Sequence, residues 1–174
     1  MRKWMTMALT ALLLTGLLAA CGGEGEPGNA DVDVDLEAFY AAVEEEYGWG
    51  NGYMVDIEGE MLDSYYPGLR DIQTKQFVAK MPMMSSVVNE MVFLQCETED
   101  DAAQAAAILQ DRINVQANGG AWYPESMEAW SHGIVIQQGT YVAMVASAEH
   151  QDEISEGFNQ KFLRYASRNS RSLT

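Results

Sequence analysis

Twice along this chain, two short apolar runs are followed by one amphipathic helical stretch, and that order limits the fold more than any other feature. In the first unit, residues 76–81 read as a strand stopped by Pro82. Residues 90–96 read as a second, with Met91 and Phe93 on one face and Val92 and Leu94 on the other. Thr98-Glu99-Asp100-Asp101 then supplies a cap and first-turn acids that suit a helix dipole. The helix runs to about Ala117 with Ala102, Ala106, Leu109 and Ile113 on one side, and Gly119-Gly120 end it. In the second unit, residues 133–137 and 140–147 flank Gln138-Gly139, a hairpin turn. A helix over about 149–165 follows, aligning Ile154, Phe158, Phe162 and Tyr165.

A helix over 35–47 precedes both units. Asp35 caps it, and Leu36, Phe39, Tyr40, Val43 and Tyr47 form one apolar stripe. A weaker helical stretch covers 56–65. The resulting order, α-β-β-α-β-β-α, predicts an α+β fold with an antiparallel sheet of about four strands and helices packed on one face. The two units share no visible sequence repeat. The domain is expected over 35–166, with 167–174 a frayed tail. Along its last helix Lys161, Arg164, Arg168 and Arg171 recur every three or four residues and complement the helix C-terminus.

Upstream of this domain the chain carries a different kind of signal. Arg2 and Lys3 precede an apolar run from Met5 to Ala20, and Leu18-Ala19-Ala20-Cys21 closes it. A charged head, an apolar middle and small residues at the end mark a secretory leader over 1–20. The run falls short of the ~20 residues that span a bilayer. Leu-Ala-Ala-Cys resembles the lipobox of bacterial lipoproteins, which implies cleavage between Ala20 and Cys21. It also implies a diacylglyceryl group on the Cys21 thiol, anchoring the chain to the cell membrane and facing outside. Residues 22–34, GGEGEPGNADVDV, make with Cys21 a flexible acidic linker with a reach of roughly 20 Å. Cys96 is the other cysteine, so with Cys21 lipidated the core holds the fold without a disulfide.

The charge balance narrows the partners. Cleavage removes Arg2 and Lys3 and no acid, leaving 8 of the 10 basic residues against all 26 acidic ones, −18 net. Nucleic acid is excluded, because phosphate neutralisation needs clustered Lys and Arg. Binding to anionic lipid by charge is disfavoured too, so a covalent anchor is the better route to the membrane.

Motifs for chemistry are sparse. The chain has no GxSxG, HExxH, CxxC or P-loop pattern. Gly48-x-Gly50-x-Gly52 lacks the flanking strand and helix of a phosphate cradle and reads as a turn. His132 and His150 fall at element edges, and Cys96 reads as a buried thiol. Asp31, Asp33 and Asp35 open like a calcium loop, but Leu36 and Ala42 stand where glycine and glutamate are required. Met81, Met83 and Met84 form a thioether cluster of the kind that suits Cu(I), though Met fills cores equally well. Trp122, Tyr123 and Trp130, with Trp49, Tyr53, Tyr65 and Tyr66, form a candidate platform for a sugar or peptide.

Four stretches, taken in order, carry a family likeness: Phe77-Val78-Ala79-Lys80-Met81-Pro82, Asn89-Glu90-Met91-Val92-Phe93, Trp122-Tyr123-Pro124-Glu125, and the run from Gly139 through Val142 to Ser147. On these the chain resembles a family of lipoproteins from Gram-positive bacteria, domain of unknown function 4358. Met81 departs mildly from the Leu or Ile expected beside Lys80. The resemblance implies an anchored, exported α+β domain and supplies no reaction. The expectation is therefore a non-enzymatic lipoprotein that binds an envelope protein or other component, without a cofactor. One alternative is a small-ligand or copper-binding lipoprotein serving a transporter. Another is an envelope hydrolase using carboxylates.

Overall fold

The computed structural model describes residues 33–171, apart from positions 51 and 85. The chain divides into a unit over Met1–Ala30 and one over Asp31–Thr174, and only the second contains described residues. The leader, Cys21 and all of the linker before Asp33 lie outside them.

In chain order the elements are α1 (Leu36–Tyr47), β1 (Met54–Asp56), α2 (Gly59–Tyr65), β2 (Thr74–Pro82), β3 (Asn89–Cys96), α3 (Glu99–Val115), α4 (Pro124–Ser131), β4 (Ile134–Gln138), β5 (Tyr141–Ser147) and α5 (Gln151–Arg171). The strands form one antiparallel sheet in the order β1-β2-β3-β5-β4. Among the described residues no helix is long and apolar enough to cross a membrane.

The centre of the sheet follows from strand periodicity, since alternate side chains point to opposite faces. Val92, Leu94 and Cys96 of β3 join Val142, Met144 and Ala146 of β5 in one buried cluster, closed by Leu62, Ala102, Ala105, Leu109, Ile113 and Trp130. Met91 and Phe93 join Tyr141, Ala143 and Val145 in a second, closed by Leu36, Phe39, Tyr40, Val43, Ile154 and Phe158. Thus α2, α3 and α4 cover one face, and α1 and α5 cover the other.

The α+β class and the antiparallel sheet agree with the sequence. Two details change. A short fifth strand, β1, joins the edge through Met54↔Pro82, Val55↔Met81 and Asp56↔Lys80. Helices lie on both faces rather than one. The reason is visible in β3, whose two faces are equally apolar; leaving either in water would forfeit roughly 1.5–3 kcal/mol per large side chain.

Local signals set the ends of the elements. The Ala38 N–H donates to Asp35 Oδ1 at 2.9 Å, and the Asp101 N–H donates to Thr98 Oγ1 at 3.0 Å, so both expected caps are made. In the β4–β5 hairpin Gln138 pairs with Tyr141, which makes Gly139-Thr140 the turn, one residue later than expected. Gly139 takes the positive φ of 59° that such a turn needs. Helix α4 is an element that the expected α-β-β-α-β-β-α order lacks; its Pro124 sits at the first helical position, where a fixed φ helps and the missing N–H costs nothing.

The domain takes hold of the chain at Val34, the last residue assigned to the linker. Gln76 Nε2 donates to Val34 O at 2.8 Å, and the Leu36 N–H donates to Gln76 Oε1 at 2.9 Å. The Val34 N–H donates to the Tyr141 hydroxyl at 3.2 Å.

Candidate functional site

A charged pair sits inside the apolar layer beneath α3. Glu90, the second residue of β3, lies on the same face as Val92 and Leu94, and Arg112 lies one turn beyond Leu109 in α3. Arg112 Nε donates to Glu90 Oε1 and Nη2 donates to Oε2, both at 2.9 Å, a two-pronged fork on the carboxylate. The side chains are only 5% and 12% exposed, Glu90 and Arg112 in turn. The Tyr66 hydroxyl donates to Glu90 Oε1 at 2.5 Å.

Rings enclose the guanidinium. Its central carbon lies 4.0 Å from the ring centre of Tyr65, 5.2 Å from Trp130 and 5.9 Å from Tyr66. Burial holds the Tyr66 phenol well above its usual range, and the charge and hydrogen bond of Glu90 add to this while Arg112 opposes it. The phenol therefore stays a donor. For Arg112, burial alone favours the neutral form. The hydrogen bonds and charge of Glu90 outweigh burial and raise its pKa further, so it stays charged.

Above this pair opens a pocket of about 530 Å³, within the roughly 300–1,000 Å³ common for ligand sites. Tyr65, Met81, Trp122, Tyr123 and Trp130 supply much of its aromatic and apolar wall, and Asn89, Glu90, Arg112, Gln116 and Ser126 supply its polar groups. The last turn of α3 shapes the rim. It loosens into a wider turn over Gln116–Gly120, in which Gly119 takes a φ of 111°. A Cβ at Gly120 would lie 2.8 Å from the Val115 carbonyl oxygen, so only glycine fits there. The chain then turns outward, leaving Trp122 94% exposed.

Of the aromatic candidates, Trp122, Tyr123, Trp130 and Tyr65 line this pocket, Trp122 and Tyr123 on its exposed rim and Trp130 buried within, whereas Trp49, Tyr53 and Tyr66 do not. The methionines separate: Met81 lines the pocket, whereas Met83 and Met84 are exposed and lie outside its lining. No group of three or more His, Cys, Asp or Glu side chains that could hold a metal occurs among the described residues. Neither histidine lines the pocket. The His150 ring stacks on Tyr47 at 4.0 Å, and the His132 carbonyl accepts a hydrogen bond from Gln151. Cys96 is fully buried, and burial together with the charge of Asp101 pushes its thiol up to about 11. Cys21 and the Ala20–Cys21 cleavage site lie outside the described residues.

Sequence reasoning missed Glu90 and Arg112, and read Tyr66 only as one aromatic among several. A signal was present: an acid begins an otherwise apolar strand, and a base follows Leu109 along the buried side of α3.

No curated protein and no solved structure matches the chain. A family model, domain of unknown function (DUF4358), matches residues 48–147, and every residue lining the pocket falls within that span. The match covers more than half of the sequence, and the chain belongs to the DUF4358 family.

Proposed function

We propose that this chain is a non-enzymatic binding lipoprotein, anchored outside the cell membrane through a diacylglyceryl group on Cys21. Its pocket under α3 receives an envelope component. One observation carries the binding reading. Separate segments bring Tyr65, Trp122, Tyr123 and Trp130 around one hollow, while the two charged residues in its lining satisfy each other. A carboxylate whose oxygens accept from Arg112 and Tyr66 is a poor general base, which favours binding over carboxylate hydrolysis. The copper reading has less support, because Met83 and Met84 stand apart from the pocket that Met81 shares.

The anchor rests on the leader and on Leu18-Ala19-Ala20-Cys21. A Cys21→Ala chain is expected to lack the lipid mass; identical mature masses by mass spectrometry would overturn the anchor. The binding role is tested by capture of the lipidated protein from membranes, beside Trp122→Ala. The native chain retains a stoichiometric component and the variant loses it. Repeated capture of nothing by either form counts against the reading.

A further inference from the structure

We infer that the pocket takes a neutral glycan, with one pyranose ring stacked on Trp122 and its hydroxyls directed at the groups around Arg112. This deepens the binding reading and rests on it. Charge is the first argument. Glu90 and Arg112 are the charged residues of the lining, and each neutralises the other. No net charge is left there to attract an ion. An anion would also have to approach a chain of net charge −18 after cleavage.

Shape is the second argument. Trp122 presents nearly all of its surface to solvent beside exposed Tyr123, at the mouth of a walled hollow. A pyranose ring offers a C–H face to such an indole and hydroxyls around its edge, so one ligand meets both the ring and the polar lining. Glu90 engages Nε–H and one Nη2–H of Arg112. Arg112 itself lines the pocket, and a guanidinium carries five N–H groups, of which Glu90 takes these two. Gln116 adds a donor and an acceptor, and Ser126 adds a hydroxyl. Hydroxyls both give and take hydrogen bonds, which matches this mixture.

A peptide fits less well. An extended peptide gains affinity by pairing its backbone with a sheet edge, whereas neither edge strand, β1 or β4, lines this pocket. The fork also fixes Arg112 in advance, so little ordering remains to oppose binding.

The test is calorimetric titration of the full lipidated chain, held in a detergent without a sugar headgroup. The probes are a β-1,4-linked N-acetylglucosamine tetramer, a β-1,4-linked glucose tetramer, an acidic galacturonate tetramer and an uncharged tetrapeptide. At least one neutral tetramer is expected to bind saturably, more tightly than the acidic one or the peptide. Trp122→Ala should weaken that binding about tenfold or more, and its exposure means the fold survives the change. The inference is overturned by neutral tetramers that do not bind at millimolar concentration, by equal binding to Trp122→Ala, or by preference for the acidic glycan or the peptide. Failure here with Trp122-dependent capture intact sinks the glycan and leaves the binding reading standing. Failure of both sinks both.

Discussion

On the α1/α5 side of the sheet, rings close against rings. Phe39 meets Phe93 edge-on at 5.2 Å, and Phe158 lies 5.9 Å from Phe39, 6.0 Å from Phe93 and 5.2 Å from Phe162. On the α2/α3/α4 side, β3 and β5 supply the same kind of apolar surface, but the layer is interrupted by an ion pair and opens into a pocket. The difference separates two tasks within one sheet. Aromatic packing needs no polar partner and adds about 0.5–1.5 kcal/mol per ring pair beyond area burial. A buried ion pair is weak support for stability, because apolar side chains of equal volume often do as well or better. On the binding role proposed above, its place beside the pocket serves recognition. The DUF4358 match fits this division: it spans the sheet and the helices of the pocket side, and stops short of α1 and α5.

The largest expected effect lies on the closed side. Phe158→Ala removes a fully buried ring shared by Phe39, Phe93 and Phe162, at an expected cost of about 3–5 kcal/mol. Urea titration of the folded variant checks it, and a loss under about 1 kcal/mol would erase the contrast between the faces.

Next comes the ion pair. Arg112→Leu strands Glu90 in an apolar layer, at an expected cost of about 3 kcal/mol. Glu90→Leu combined with Arg112→Leu is expected to recover most of that stability without recovering ligand binding. Urea midpoints of the two variants sharpen the comparison: a double variant as unstable as the single one would make the pair structural.

An alkaline limit follows from Cys96. Its thiol sits at about 11 in the folded chain, against an ordinary 9.0. Between those values the unfolded chain has lost a proton that the folded chain keeps, so stability declines as pH rises from about 9 to 11 and is unaffected by this group below that window. Tyr66 acts in the same direction, because burial raises its phenol. Midpoints measured from about pH 8 to 11 should fall less steeply for Cys96→Ala than for the native chain.

Trp122→Ala closes the series. At 94% exposure its stability should stay within about 0.5 kcal/mol of the native value, while ligand capture is lost.

Much of this architecture could be read from local pattern. The caps at Asp35 and Thr98, the stripe Leu36-Phe39-Tyr40-Val43 and the two hairpin-forming pairs of strands all depend on neighbours close in sequence. Helix α4 was missed because its eight residues, PESMEAWS, make only about two turns, too few for a helical repeat to stand out after Trp122-Tyr123. Strand β1 has only three residues and gains its definition from pairing with β2. The cover on both faces was foreshadowed by Met91 and Phe93 opposite Val92 and Leu94. At the candidate site, Trp122, Tyr123 and Trp130 stood out as unusual residues. The Glu90–Arg112 fork did not, because 22 positions separate its members and only the docking of α3 on β3 joins them.

Backbone amide shifts during titration with the neutral tetramer that binds test the division between the two faces most directly. Perturbations are expected at Gln116, Trp122, Tyr123 and Ser126 and at the Arg112 side chain, with α1 and the Phe158 layer silent. Shifts concentrated on α1 and Phe158, or spread evenly over both faces, would contradict it.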